Sequence, residues 1–124
     1  MTKGKRLSKF AIAERKAWKF YQEWRKTGSK SPAFSDELVC VTRLGWNHLL
    51  DSRKRRTKKE KIRRFQALPH AKKLLETATT VQEYREKDGI SYWAFVAIMN
   101  GMQIKVIVSA KNKQKCFLSV IVLR

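Results

Sequence analysis

The sequence predicts an α+β fold, with N-terminal helices packed on a C-terminal four-stranded antiparallel β-meander. Three observations carry this expectation. Apolar residues recur at helical spacing through the first two thirds of the chain, and period-two alternation takes over in the last third. Two dipeptides, Asp88-Gly89 and Asn100-Gly101, punctuate that last third. Both suit the type I′ hairpin turn, whose two central residues need positive φ.

Residues 1–7 form a short basic tail. Over residues 8–26, Phe10, Ala13, Ala17, Phe20 or Tyr21, and Trp24 follow helical spacing, with Ser8 as N-cap and Gly28 as the stop. These aromatics are read as packing residues rather than a base-stacking platform. Residues 28–32 (Gly-Ser-Lys-Ser-Pro) read as a linker. The chain therefore divides into a basic tail with an amphipathic aromatic helix (1–30) and an α+β domain (31–124). Residues 38–41 are a short apolar extended run. Thr42 then caps a short helix through Arg43, Trp46, His48, Leu49 and Leu50.

The densest charge run follows, from Arg53 to Arg64. Inside it, Thr57 and Glu60 stand three apart as a capping-box signature, with Ile62, Phe65 and Leu68 as a narrow apolar stripe. This reads as a basic loop feeding a basic helix. Pro69 fits the first turn of a further helix through Ala78. Four strands are expected at about 79–86, 90–99, 102–110 and 116–123, with a last turn over 111–115.

If Asn100 and Gly101 are the whole loop, opposed residues have numbers summing to 201, and Met99 faces Met102. One sheet face then carries Trp93, Phe95, Ala97 and Met99 against Met102, Ile104, Val106 and Val108, which is a core. The other carries Tyr92, Ala94, Val96 and Ile98 against Ser109, Ile107, Lys105 and Gln103. Across the Asp88-Gly89 turn, Arg85 falls opposite Tyr92 and Glu83 opposite Ala94, on that second face. Ser119 joins it if Leu118 and Val120 point into the core. Charged residues set among Val96, Ile98, Ile107 and Ile121 suggest a partly covered cleft, whereas a solvated strand face carries the same residue types without any special role.

The chain has 124 residues, one domain by size, with 29 Lys and Arg against 10 Asp and Glu, a formal net charge of +19. Solubility alone needs far less charge, so a strongly anionic partner is expected, with nucleic acid ahead of an anionic membrane surface. An acidic protein inhibitor fits the same surface. Cys40 and Cys116 stand apart from any metal-ligand cluster and read as small buried hydrophobes, with a disulfide left open. No signal peptide and no run of the ~20 apolar residues needed to cross a membrane is evident. Cytoplasmic action is expected.

Of the two histidines, His48 beside Asn47, Ser52 and Arg53 suits a phosphate-directed role, and His70 beside Pro69 reads as structural. Several segments together carry a resemblance. They are Val41-Thr42-Arg43, Trp46-Asn47-His48, the Arg/Lys run, Leu68-Pro69, Tyr92-Trp93-Ala94-Phe95, Ile104 to Val108, and Phe117-Leu118-Ser119-Val120. Over about residues 38–124 the chain resembles the barnase–EndoU–colicin–RelE-like nuclease superfamily, and within it the phage and mobile-element branch.

The resemblance implies a small metal-independent endoribonuclease, a toxin or toxin-like effector, without cofactor. Such enzymes drive the ribose 2′-hydroxyl onto the adjacent phosphate to leave a 2′,3′-cyclic phosphate. His48 is implied as general base or acid, Lys105 and Arg85 as phosphorane stabilisers, and Ser119 as a phosphate hydrogen-bonder. Glu83 is the alternative base. Arg53, Arg55, Arg56, Lys58 and Lys59 are implied contacts to the RNA backbone, and Tyr92 is implied to stack on a base. The implied substrates are tRNA or mRNA. The alternative is a non-catalytic RNA- or DNA-binding module using the same basic helix.

Overall fold

The computed structural model describes residues 7–50 and 57–123. Helix α1 spans Lys9–Thr27. Its N-cap is Ser8, whose Oγ accepts the Ala11 N–H at 3.0 Å, satisfying a donor that the first turn leaves open. Gly28 ends the helix at φ +62°, where its N–H donates to the Trp24 carbonyl. A Cβ there would also meet the Val39 carbonyl at 2.8 Å, so both angle and space require glycine.

The segment expected as a linker is ordered. Ser29–Ser31 is strand β1, paired antiparallel with strand β2, Glu37–Val39, around a 3-10 turn at Pro32–Phe34. The physical reason lies in its serines. Ser29 Oγ accepts from Trp24 Nε1 at 2.8 Å and donates to Glu76 at 2.7 Å, so a small polar residue is buried with its hydrogen bonds made. Lys115 fastens this ribbon to the sheet. Its Nζ sits 5.0 Å from the rings of both Phe34 and Trp93 and 2.8 Å from Glu37.

Helix α2, Arg43–Leu49, is capped by Thr42 Oγ1, which accepts the Leu44 N–H. Helix α3, Lys58–Thr77, is capped by Thr57 Oγ1, which accepts the Glu60 N–H at 3.1 Å. It runs unbroken through Pro69, where two helices were expected. A mid-helix proline removes one hydrogen bond and crowds the preceding turn, at a cost of about 3 kcal/mol. Phe65, Leu68, Ala71 and Leu75 straddle it on one buried face. Each fully buried large side chain among them contributes about 1.5–3 kcal/mol, so packing outweighs the local penalty.

The main sheet runs in the order β3 (Glu83–Lys87), β4 (Ile90–Met99), β5 (Met102–Ala110), β6 (Lys115–Val122), all antiparallel. Both turn dipeptides adopt positive φ at both residues, with values between 52° and 77°. The expected register holds: Met99 faces Met102, Trp93 faces Val108, Arg85 faces Tyr92 and Glu83 faces Ala94. Strand β3 is shorter than expected. Upstream, Gln82 substitutes for strand, its N–H donating to the Ala94 carbonyl and its side chain accepting the Val96 N–H at 2.8 Å. In β6 a register shift between Ile107 and Val108 sets Ser119 opposite Ile107 but Phe117 opposite Val108.

All three helices pack on one face of this sheet. Tyr21 and Trp24 of α1, Trp46 and Leu49 of α2, and Phe65, Leu68 and Leu75 of α3 meet Phe95, Ile104, Val106, Val108, Phe117 and Val120 in one buried cluster. Trp46 stacks on Phe65 at 5.5 Å and 12°. Gly45 lets α2 sit directly on β6, since a Cβ there would lie 2.5 Å from Tyr21 Oη and 3.0 Å from the Phe117 carbonyl oxygen. Tyr21 donates its hydroxyl proton to the Thr42 carbonyl. No helix among the described residues is long and apolar enough to cross a membrane.

Candidate functional site

The face of the sheet turned away from the helices gathers four of the expected residues. Glu83 and Arg85 leave β3 on it, Tyr92 leaves β4, and Lys105 leaves β5, because i, i+2 positions on paired strands share a face. Lys105 Nζ donates to Glu83 Oε1 at 3.1 Å, reaching across β4. The crossing passes Ala94, the smallest side chain on this face of β4, which is buried between its neighbours Glu83 and Ile107. One rung along, the Arg85 guanidinium lies 6.0 Å from the centre of the Tyr92 ring, its direct cross-strand partner. A carboxylate, an ammonium, a guanidinium and a phenol thus stand together on a rigid platform.

The expected partial cover is absent among the described residues. Ile98 is 73% exposed and the Glu83 side chain 59%. The reason is topological: every described helix packs on the opposite face. A groove of about 630 Å³ lies elsewhere, between α1 and α3, lined by Ile12, Ala13, Phe20, Ile62, Phe65 and Pro69, among others.

Ser119 stands opposite Ile107, two residues along β5 from Lys105. It is 1% exposed, and its Oγ accepts from Arg64 Nη1 at 3.4 Å. The same guanidinium nitrogen donates to the Val120 carbonyl at 3.2 Å, and Arg64 Nη2 lies 3.9 Å from Glu60. Val120 belongs to the buried core, whereas Leu118, expected beside it, is only half-buried. Arg64, reaching from α3, holds the Ser119 hydroxyl. His48 is half-buried in the last turn of α2, the helix that packs against β6. Lys58 and Lys59 are exposed in the first turn of α3, with Lys58 Nζ 6.0 Å from the Phe10 ring. Arg53, Arg55 and Arg56 lie outside the described residues.

Arg64 is the residue that sequence reasoning passed over. It stood in the charge run as one cation among many, yet it is only 6% exposed. Its spacing was the available signal: 64, 68, 71 and 75 form one helical stripe, so this arginine shares the buried face with Leu68, Ala71 and Leu75. A buried guanidinium needs partners, and the backbone and serine of β6 supply them.

Among the described residues no group of three or more His, Cys, Asp or Glu is placed to hold a metal ion. Comparison of the chain with protein-family models, with curated proteins and with solved structures found no significant match.

Proposed function

We propose that the protein is a small basic endoribonuclease that cleaves RNA by 2′-hydroxyl attack on the adjacent phosphate, without a metal, to leave a 2′,3′-cyclic phosphate and a 5′-hydroxyl. The observation that carries this reading is the open-face cluster, where Glu83 is held 3.1 Å from Lys105 beside Arg85 and Tyr92. The reaction needs a base for the 2′ proton, an acid for the leaving 5′ oxygen, and cations around the phosphorane. Glu83 is the base candidate that lies with the cations. Lys105 and Arg85 are the charge stabilisers, and Tyr92 is the stacking surface for a base. The likeness of residues 38–124 to the barnase–EndoU–colicin–RelE-like nucleases supports the same reading, as does the +19 charge. Lys58 and Lys59 at the N-terminus of α3 add cations where the helix dipole already favours phosphate. The proposed substrates are tRNA or mRNA, the proposed compartment is the cytoplasm, and an acidic immunity or antitoxin protein is the proposed natural inhibitor.

One observation favours a second reading, a non-catalytic RNA-binding module. His48 belongs to α2, whereas the Lys105 group belongs to β3, β4 and β5, and binding through basic residues has no need of an acid–base pair. The deciding experiment incubates the protein with total RNA in excess EDTA and maps fragment ends, with Glu83→Gln, Lys105→Ala and His48→Ala alongside. Cyclic-phosphate ends that vanish in Glu83→Gln and Lys105→Ala while RNA binding survives support the open-face enzyme. Loss in His48→Ala alone moves the chemistry to α2. Tight, salt-sensitive binding without cleavage by the unmodified protein selects the binding module.

A further inference from the structure

We infer that Cys40 and Cys116 form an oxidisable dithiol site, which a low-molecular-weight disulfide such as glutathione disulfide converts to an intramolecular cross-link. The two residues are far apart in sequence, yet the backbone makes them direct partners. The Cys40 N–H donates to the Lys115 carbonyl at 2.9 Å, and the Phe117 N–H donates to the Cys40 carbonyl at 2.8 Å. These two bonds flank Cys116 and create a parallel bridge between positions 40 and 116. Directly paired residues project from the same side of a sheet. Neighbouring strands lie about 4.8 Å apart, within the roughly 4.4–6.8 Å Cα separation that disulfides span.

Both thiols are free and half-buried, hence within reach of a small reagent. The bridge at Cys40 stands outside the regular strands, beyond the end of β2, so the backbone there is free of a continuous ladder that would resist a small adjustment. A second sign points the same way. The Cys116 thiol is pushed up by burial and, next, by the charge of Cys40 beside it.

The first attack falls to Cys40, which is half-buried and stands outside the regular strands. Its thiolate, having released its proton to solvent, attacks one sulfur of glutathione disulfide. One glutathione thiolate leaves and takes up a proton, and a mixed disulfide remains. Cys116 then loses its proton and attacks the Cys40 sulfur, forming the Cys40–Cys116 bond and expelling the second glutathione. The two protein thiols lose two electrons and two protons in all, and the glutathione disulfide gains them. Because α2 begins just after Cys40, at the Thr42 cap, the bond fastens the entry of that helix to β6.

The test treats the full chain with glutathione disulfide at mildly alkaline pH and low protein concentration, then digests it without reductant for mass mapping. The expected result is a monomer lighter by two hydrogens, with one peptide pair joining Cys40 to Cys116. Its Tm should rise by roughly 10 °C, reversibly with dithiothreitol, as expected for a cross-link closing a long loop. The Cys116→Ser variant should stop at a single glutathione adduct on Cys40. Recovery of the two cysteines as free thiols, as two separate glutathione adducts or as intermolecular dimers overturns the inference.

Discussion

Gly45→Ala sets two effects of opposite sign against each other, and the structure decides between them. In an exposed helix the change stabilises, since alanine is favoured over glycine by about 0.8–1 kcal/mol. Here the added Cβ would stand 2.5 Å from Tyr21 Oη, 2.9 Å from Phe117 Cδ2 and 3.0 Å from the Phe117 carbonyl oxygen, where ordinary contact begins at 3.4 Å. Relief needs about 0.9 Å at the tyrosine and 0.4 Å at the carbonyl, the gaps between those distances and 3.4 Å. Neither neighbour yields cheaply. Tyr21 is fully buried and tied to the Thr42 carbonyl, and the Phe117 backbone belongs to β6.

Overpacking of this kind costs about 1–3 kcal/mol. Against the propensity gain, the net expectation is a loss of up to about 2 kcal/mol, or up to roughly 10 °C in Tm. Equilibrium urea unfolding followed by tryptophan fluorescence and far-ultraviolet circular dichroism measures it, with coincident transitions required. A Tyr21→Phe background should recover part of the loss by removing the nearest atom, giving a coupling above about 0.5 kcal/mol. If Gly45→Ala raises the urea midpoint, α2 is not seated on β6 as described, and the placement of His48 falls with it.

Tyr21→Phe alone should cost about 1–2 kcal/mol through the lost bond to Thr42. It also carries a pH signature. Burial raises the Tyr21 phenol above its ordinary value, so on raising pH the unfolded state releases that proton first and the folded state holds more protons. Stability contributed by the neutral phenol is therefore complete below about pH 10 and falls above it, by up to about 1.4 kcal/mol per pH unit. The difference in stability between the parent and Tyr21→Phe across pH 8–11 isolates this slope, and parallel curves would refute it. Arg64→Met should cost about 2–4 kcal/mol by stranding Ser119 and the Val120 carbonyl, whereas Ser119→Ala should cost less than about 1.5 kcal/mol; denaturant midpoints of the two variants test the order. Affinity for single-stranded RNA should drop roughly tenfold or more between 50 and 200 mM salt, measured by fluorescence anisotropy, and a flat response would remove phosphate contact as the basis of binding.

Much of the sheet was legible because its information is local. Asp88-Gly89 and Asn100-Gly101 admit few backbone conformations, and each two-residue loop sets the pairing of every residue behind it. The placement of Glu83, Arg85, Tyr92 and Lys105 on one face followed from those turns alone. Three features were hidden because their causes are not local. Pro69 reads as a boundary until the buried stripe on both sides of it is weighed. The serines of β1 read as linker because their partners, Trp24 and Glu76, lie in other elements. Ser119 depended on the register of β6, which shifts after a loop too long to dictate pairing. Its burial depended on Arg64, a partner from another helix.

The one-sided packing of the sheet means that consecutive residues of a single strand answer to different selective pressures. Along β4 and β5, Phe95, Ile104, Val106 and Val108 are held by their neighbours' volumes, and the positions between them face solvent or the proposed substrate. Tolerance to substitution in a saturation library should therefore rise and fall with every second residue. A lineage is free to rewrite the chemistry of the outer face letter by alternate letter while the inner face keeps the fold. Two descendants of such a chain can share a backbone and retain, along these strands, little more than a rhythm in common.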